Sequence, residues 1–405
     1  LFSYSFINCN FCVWNCIFLL FDRSLFFVVS MISGPTLTPS APVANVKVDH
    51  AEVYVHAYAV DSSYTDNTAT SALPGDDNVR GFLTEKGWPR GLQDTFVSNL
   101  SKIPKRFYIC DDSGSMSTSD GHRLTMVSPG NYKMLPCSRW SELTTTLMFH
   151  AELARAANAP TEFRLLNGGI PITIGDGNDP TDSKFNSLKN LLNGSPSGGT
   201  PLCHHIREVT QQIRLLAPGL RAAGQKACVM IATDGESSDG NIADALRPLK
   251  DLPAWVVIRL CTDEDKIVNY WNNVDNELEL DMDVLDDLTG EAGEVTEHNP
   301  WLTYGDAMHK LREFGIPVKE IDLLDETSLS LEQVRLFCSL IFGGSVDSYP
   351  HPDIDWNGFK EIVSRANAEA PQVWCPIYRR LRPWVSIYHI GLMRQGIHCQ
   401  CAVSQ

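Results

Sequence analysis

From residue 106 to residue 260 the chain alternates short apolar runs with longer stretches whose apolar residues recur at helical spacing. Arg106–Cys110, Glu162–Leu166, Pro171–Ile174, Ala227–Thr233 and Trp255–Leu260 read as strands. Ser141–Ala157, Ser183–Leu192, Pro201–Leu216, Ile242–Arg247 and Asp263–Asn273 read as helices. Ser141 is placed to cap the first helix, Thr200 the third and Thr262 or Asp263 the last, and Pro218-Gly219 reads as the stop of the third. Strands that are apolar throughout need cover on both faces. Their alternation with helices therefore predicts an α/β fold, a doubly wound, mostly parallel sheet with helices on both faces.

The flanks follow other patterns. Leu92–Leu100 is a short amphipathic helix leading into the first strand, and Val46–Val60 alternates with period two, as a long strand or a hairpin does. Ile32–Pro42 is rich in Ser, Thr and Pro, and Ser62–Asp77 is polar, so the first reads as disordered chain and the second as linker. The acidic stretch Glu277–Asp287 surrounds Val284 and fits an edge strand or a solvated loop. Beyond residue 290, Tyr304–Phe314, Leu331–Phe342 and Ile354–Ala368 have helical spacing, and Trp374–Arg394 is aromatic and basic. The expected organisation is an apolar leader at 1–30 and a disordered leader at 31–91 with a strand or hairpin near 46–60. The α/β domain follows at 92–290, then a mainly helical C-terminal region at 291–405.

Three segments carry chemistry. Asp111-Asp112-Ser113-Gly114-Ser115-Met116 follows the first strand directly. A carboxylate and two hydroxyls at alternate positions put three hard oxygen donors on one tight turn, the donor type that Mg²⁺, Mn²⁺ or Ca²⁺ takes. Such a turn stands at the carboxyl edge of the sheet, where open α/β sheets bind ligands. Gly198-Gly199-Thr200-Pro201-Leu202 opens the third helix, and the apolar run from Val229 ends in Thr233-Asp234-Gly235.

In this combination of Asp-x-Ser-x-Ser, Gly-Gly-Thr and strand-Thr-Asp-Gly the chain resembles the von Willebrand factor A family and its metal-ion-dependent adhesion site, over roughly residues 100–290. The resemblance implies a Rossmann-like fold and one divalent cation, Mg²⁺ or else Mn²⁺ or Ca²⁺. Its ligands would be Asp111, Ser113, Ser115, Thr200 and Asp234, the last directly or through water. One coordination position would stay open for an Asp or Glu of a protein partner. The chain departs from the family in one place. There a helix usually follows the serine turn within a few residues, whereas here residues 117–139 intervene, polar at their start and carrying Pro129, Gly130 and Pro136. This insert is expected as a surface loop, or functionally as a lid beside the metal.

Other chemistry is thinner. Cys203-His204-His205 lies in the first turn of a helix, where neighbours diverge by about 100° and do not grip one ion. His398-Cys399-Gln400-Cys401 lacks the second half of a tetrahedral site. Asp176-Gly177-Asn178-Asp179-Pro180 lacks the glycine and glutamate of a calcium loop and reads as a plain loop. No nucleophile elbow, phosphate-cradling Gly-Lys-Ser/Thr loop or His-Glu-x-x-His occurs. A metal-dependent hydrolase would need a base, for which His122 in the insert is the nearby candidate. A regulatory subunit of an ATP-driven or ubiquitin-related assembly is a further alternative, since intracellular members of the resembled family serve there.

Charge narrows the partners. Against 33 Lys and Arg stand 49 Asp and Glu, a net charge of −16 that repels nucleic acid and anionic membranes. The 12 cysteines do not form a disulfide framework, which points to a reducing, cytoplasmic setting despite the triplets Asn99-Leu100-Ser101 and Asn193-Gly194-Ser195. The apolar runs Phe11–Phe21 and Leu25–Val29 are broken by Asp22 and Arg23 and lack a basic n-region. They read as translation upstream of Met31, with a signal anchor as the alternative.

Overall fold

The computed structural model describes residues 16–21, 24–29, 76–128, 131–262, 264–278 and 280–397. The chain divides into two units, Leu1–Ala69 and Thr70–Gln405. In the first, β1 (Cys16–Phe21) pairs antiparallel with β2 (Ser24–Val29). The expected strand at Val46–Val60, the Ile32–Pro42 leader, the cap candidate Asp263 and the His398–Cys401 tail lie outside the described residues.

The second unit opens with α1 (Asp76–Glu85) and α2 (Arg90–Leu100), then β3 (Lys105–Cys110), the hairpin β4 (Gly121–Ser128) and β5 (Asn131–Cys137), and α3 (Arg139–Ala156). There follow β6 (Thr161–Leu165), β7 (Ile172–Ile174), α4 (Ser183–Leu192), α5 (Leu202–Ala222), β8 (Ala227–Thr233), α6 (Ile242–Leu246), β9 (Ala254–Leu260), α7 (Asp265–Leu278) and β10 (Met282–Leu285). The remainder is α8 (Leu288–His298), α9 (Asp306–Glu313), α10 (Lys319–Asp322), α11 (Leu331–Phe342), α12 (Trp356–Glu369), β11 (Val373–Cys375), β12 (Arg380–Arg382) and α13 (Ile387–Arg394).

Six strands form the central sheet in the order β10-β9-β8-β3-β6-β7. All neighbours are parallel except β6 and β7. The fold is α/β, a mostly parallel sheet with helices around it and a mainly helical C-terminal region. Alternation along each strand sorts the core. Phe107 and Ile109 of β3, Val229 and Ile231 of β8, and Val256 and Ile258 of β9 pack with Ile206, Val209 and Ile213 of α5 and Trp271 of α7. Tyr108, Cys110, Met230 and Val257 face the other way, toward Leu143 and Leu147 of α3, Phe96 of α2 and the C-terminal helices. Each fully buried aliphatic side chain contributes about 1.5–3 kcal/mol.

α9 lies under this second face with Ala307 to Glu313 all buried. Its charges are engaged from the sheet and from α3. Glu313 Oε2 lies 2.9 Å from His150 Nε2 and 3.1 Å from Lys310 Nζ, and Oε1 lies 3.4 Å from Arg259 Nε. Burial alone would raise the Glu313 carboxyl, but Lys310, His309 and His150 hold it well below the ordinary carboxylate range. The Tyr108 hydroxyl donates to the Glu313 carbonyl at 3.1 Å, and Arg106 Nε to the Phe314 carbonyl at 2.9 Å.

Three local expectations change, and a fourth, left open between two forms, is decided. The insert at 117–139 is a β-hairpin rather than a loop, with Leu124 opposite Met134 and Met126 opposite Tyr132. α3 starts earlier and is capped by Ser138, which accepts from Ser141 N–H at 3.1 Å, so Ser141 is inside the helix. α5 runs through Pro218 to Ala222. Pro218 lacks the N–H that would bond the Arg214 carbonyl, and Arg214 is exposed. The acidic stretch at 277–287 holds the edge strand β10, parallel to β9.

Candidate metal centre

Two adjacent parallel strands, β3 and β8, end at the same edge, and the next residue of each is an aspartate. The Asp111 N–H donates to the Ala232 carbonyl at 2.8 Å, carrying the ladder one residue past β3. That fixes a carboxylate in the sheet edge with no solvent exposure. Its Oδ1 accepts from Ser113 N–H at 2.9 Å and its Oδ2 from the Thr233 hydroxyl at 2.7 Å. Desolvation pushes the Asp111 carboxyl above its ordinary range, against hydrogen bonds from Ser113 and Thr233 that favour the anion, and nearby Asp234 raises it further.

After Ser113 the chain makes a 3₁₀ turn, Gly114–Ser117. It brings Ser113 Oγ and Ser115 Oγ to 2.9 Å, and Ser115 Oγ donates to Asp234 Oδ1 at 2.8 Å. Four of the five predicted ligands, Asp111, Ser113, Ser115 and Asp234, therefore lie at one edge, three of them in one hydrogen-bonded row. The donors are all hard oxygens. Adjacent ligands around an octahedral ion at about 2.0–2.1 Å stand about 2.9 Å apart. The row itself, at 2.9 and 2.8 Å, has the spacing of ordinary hydroxyl hydrogen bonds.

Thr200 is held close by its backbone. The Ser197 N–H donates to the Asp112 carbonyl at 2.7 Å and the Gly114 N–H to the Gly198 carbonyl at 3.2 Å, docking the 197–200 loop onto the serine turn. Thr200 itself exchanges bonds with Ser238, its N–H donating to Ser238 Oγ at 3.1 Å and its carbonyl accepting from Ser238 N–H at 2.9 Å. Its hydroxyl makes no hydrogen bond to the other four. It is not the cap of α5 either. Asp239 does that from the next loop, accepting from Cys203 N–H at 3.0 Å and His204 N–H at 2.8 Å. Desolvation would raise the Asp239 carboxyl, but the Ser237 hydroxyl and these two amides lower it.

The sequence reading missed several residues that build this edge. Asp112 Oδ1 accepts from Asn167 N–H at 2.8 Å and from Asn167 Nδ2 at 3.0 Å, and Nδ2 also donates to the Gly199 carbonyl at 2.8 Å. Arg139, the first residue of α3, is buried against Asp234, with Nη1 at 3.1 Å from Oδ2. The same guanidinium bonds Asp120 at 2.8 and 2.6 Å and Glu264 at 2.8 Å. The bond from Arg139 leads the causes that hold the Asp120 carboxyl below its ordinary range. An arginine just after a hairpin carries no local sequence signal. Asp239, in a polar Ser-Ser-Asp-Gly loop after a strand, could have been suspected as a cap.

The remaining candidates disperse. Cys203 is buried with Sγ 3.2 Å from Ser237 Oγ, His205 Nε2 lies 3.0 Å from the Leu166 carbonyl, and His204 is exposed. Asp179 caps α4 through Lys184 and Phe185 N–H at 3.1 and 3.0 Å. His122 is exposed on β4, and its N–H donates to Glu142 Oε2 at 2.7 Å. Glu291, Glu294 and Asp325 form the one acidic or thiol-histidine cluster of ligand spacing among the described residues. Glu291 and Asp325 there already pair with buried Arg312. Among the described residues no helix is long and apolar enough to cross a membrane.

No protein-family profile matches the chain, and no curated protein does. Among solved structures it is similar to the SpRpn10 VWA domain, at 11% identity and a TM-score of 0.30, over 45% of this chain and 87% of that one.

Proposed function

We propose that this chain is a metal-dependent protein-binding module of the von Willebrand factor A type. The observation that carries the reading is the row Ser113 Oγ, Ser115 Oγ and Asp234 Oδ1, at 2.9 and 2.8 Å, beside buried Asp111. Asp111, Ser113 and Ser115 would hold Mg²⁺, or Mn²⁺ or Ca²⁺, with Thr200 and Asp234 completing the set directly or through water. A bound divalent ion supplies one electrophilic position for an Asp or Glu of a protein partner. Two features of this chain favour that use over hydrolysis. Only two candidate ligands are anionic, and Arg139 already balances one oxygen of Asp234, so the ion keeps its appetite for a further carboxylate. His122, the one base considered, is exposed on the hairpin and makes no hydrogen bond to the row.

Isothermal titration with Mg²⁺ tests this. Wild type should bind, and Asp111→Ala should bind at least tenfold more weakly, about 1.4 kcal/mol. Because Asp111 also anchors Thr233, Ser115→Ala serves as a milder second variant. Unchanged Mg²⁺ affinity in both would remove the central claim.

A further inference from the structure

The aromatic and basic stretch Trp374–Arg394 takes no part in the metal centre. From Ala370 to Gln405 a chain of net charge −16 has no Asp or Glu, and within that span stand Arg379, Arg380, Arg382, His389 and Arg394. β11 and β12 form a hairpin there, with Val373 opposite Arg382 and Cys375 opposite Arg380. Tyr378, Arg379 and Arg380 are exposed. Arg382 Cζ lies 4.2 Å from the centre of the Tyr378 ring and Arg380 Cζ 6.0 Å from it, so the two charges stand within about 10 Å of each other. The face of a tyrosine ring attracts a guanidinium, which helps to gather both on one spot.

No carboxylate among the described residues pairs with these charges. The side chains of Arg379, Arg380 and Arg382 make neither an ion pair nor a hydrogen bond there. The buried arginines of the chain behave otherwise, for Arg139, Arg259 and Arg312 each meet two or more of its carboxylates. His389 of α13 lies close to the same group. Burial, and after it Arg382, lowers its imidazole below the ordinary value, with no carboxylate acting against them. Among the arginines of the stretch Arg394 alone has a carboxylate partner, Asp353 at 3.7 Å.

Charge and spacing say what fits. Arg380 and Arg382 are alternate residues of β12, on one face and about 6.6 Å apart at about 3.3 Å per residue. The carboxylates of Asp-x-Asp in an extended peptide repeat at the same interval, and the guanidinium fork matches a carboxylate. The acidic remainder of the surface repels a long polyanion or an anionic membrane, whereas a short segment meets the hairpin alone. We propose that an acidic segment of a protein partner docks on β11–β12, extended, with carboxylates at alternate positions against Arg380 and Arg382 and with Arg379 beside them. The contact needs no metal, so it stands or falls apart from the metal-dependent reading above.

Fluorescence anisotropy of a labelled Asp-Gly-Asp-Gly-Asp peptide with the full chain, in EDTA and low salt, tests this. Wild type should bind, and binding should be lost at about 1 M salt, where screening acts within about 3 Å. Arg380→Gln/Arg382→Gln should bind about tenfold more weakly, as two surface ion pairs allow. Because Arg382 is half-buried, Arg379→Gln/Arg380→Gln, which changes exposed residues only, serves as a second variant and should also weaken binding while melting as wild type. No binding by wild type, equal binding of an Asn-Gly-Asn-Gly-Asn control, or full affinity in both variants would overturn the proposal. Tighter binding of a phosphoserine peptide, an RNA oligonucleotide or phosphatidylserine vesicles, lost in the same variants, would overturn it by assigning the hairpin another occupant. Dimerisation of wild type in low salt that both variants lose would assign it to a second copy of the chain and overturn it equally.

Discussion

Arg139 Nη1 lies 3.1 Å from Asp234 Oδ2, while the other oxygen of that carboxylate accepts from Ser115. A fixed positive charge thus sits against the very group that would face a cation. Removing it should weaken the fold and strengthen the ion. Arg139→Gln leaves a buried carboxylate without its charge partner, which costs about 3 kcal/mol. In EDTA the variant should melt well below wild type, and Mg²⁺ should raise its melting temperature by more than it raises that of wild type. Equal Mg²⁺ shifts in the two proteins would show that the arginine does not oppose the ion.

The loop that carries Thr200 is seated by a glycine. Gly198 has φ +97°, and a Cβ there would collide with the Asn167 side chain that ties Asp112 to Gly199. Gly198→Ala should cost roughly 1–3 kcal/mol of stability. It should also weaken Mg²⁺ binding at least as much as Thr200→Ala does. A variant that melts lower but binds Mg²⁺ as wild type would separate the loop from the centre.

Asp239 caps α5 from outside the helix. Asp239→Ala should lower the urea unfolding free energy by about 1 kcal/mol, and hydrogen exchange should rise at Cys203 and His204, the two amides it holds. Unchanged exchange at those amides would exclude the cap.

Buried His150 supplies a pH signature. Desolvation lowers it below its ordinary value of 6.5, although Glu313 pulls the other way. The folded state therefore keeps it neutral where the unfolded chain already takes a proton. Its contribution is complete above pH 6.5 and is lost as pH falls toward the lowered folded value, with a slope of at most about 1.4 kcal/mol per pH unit. Glu313, also depressed, keeps its full contribution above 4.5 and loses it progressively as pH falls from there toward its lowered folded value. Urea titrations of His150→Gln, which keeps a donor but does not titrate, should show a flatter dependence just below pH 6.5. An unaltered slope would place the acid sensitivity elsewhere.

Periodicity made the sheet legible because β3, β8 and β9 are apolar on both faces and their helices repeat faithfully. It failed where tertiary contacts override local signals. Pro218 looked like a stop, yet it rides on the exposed side of α5. The stretch 117–139 looked like a loop because it is polar at its start and interrupted by Pro129, Gly130 and Pro136, and its strands pair only with each other. The centre divides in the same way. Asp111, Ser113 and Ser115 share one turn and could be read together, and Asp234 follows its own strand. Arg139, Asn167 and Asp239 act through folding alone, each reaching its partner from a distant segment. Thr200 read as a cap because the local pattern Thr-Pro suits one, but Asp239 takes that role.

The burial of α9 has a consequence for how the chain is made. Arg106 and Tyr108 of β3 find their carbonyl partners in Phe314 and Glu313, 208 and 205 residues later. On the ribosome, the centre of the sheet is complete in sequence long before the helix that satisfies it emerges. Such long-range closure slows folding, and until α9 docks, β3 and α3 present unpaired charges and open apolar surface. The carbonyls that Arg106 and Tyr108 bond are thus made only after every strand of the sheet has emerged.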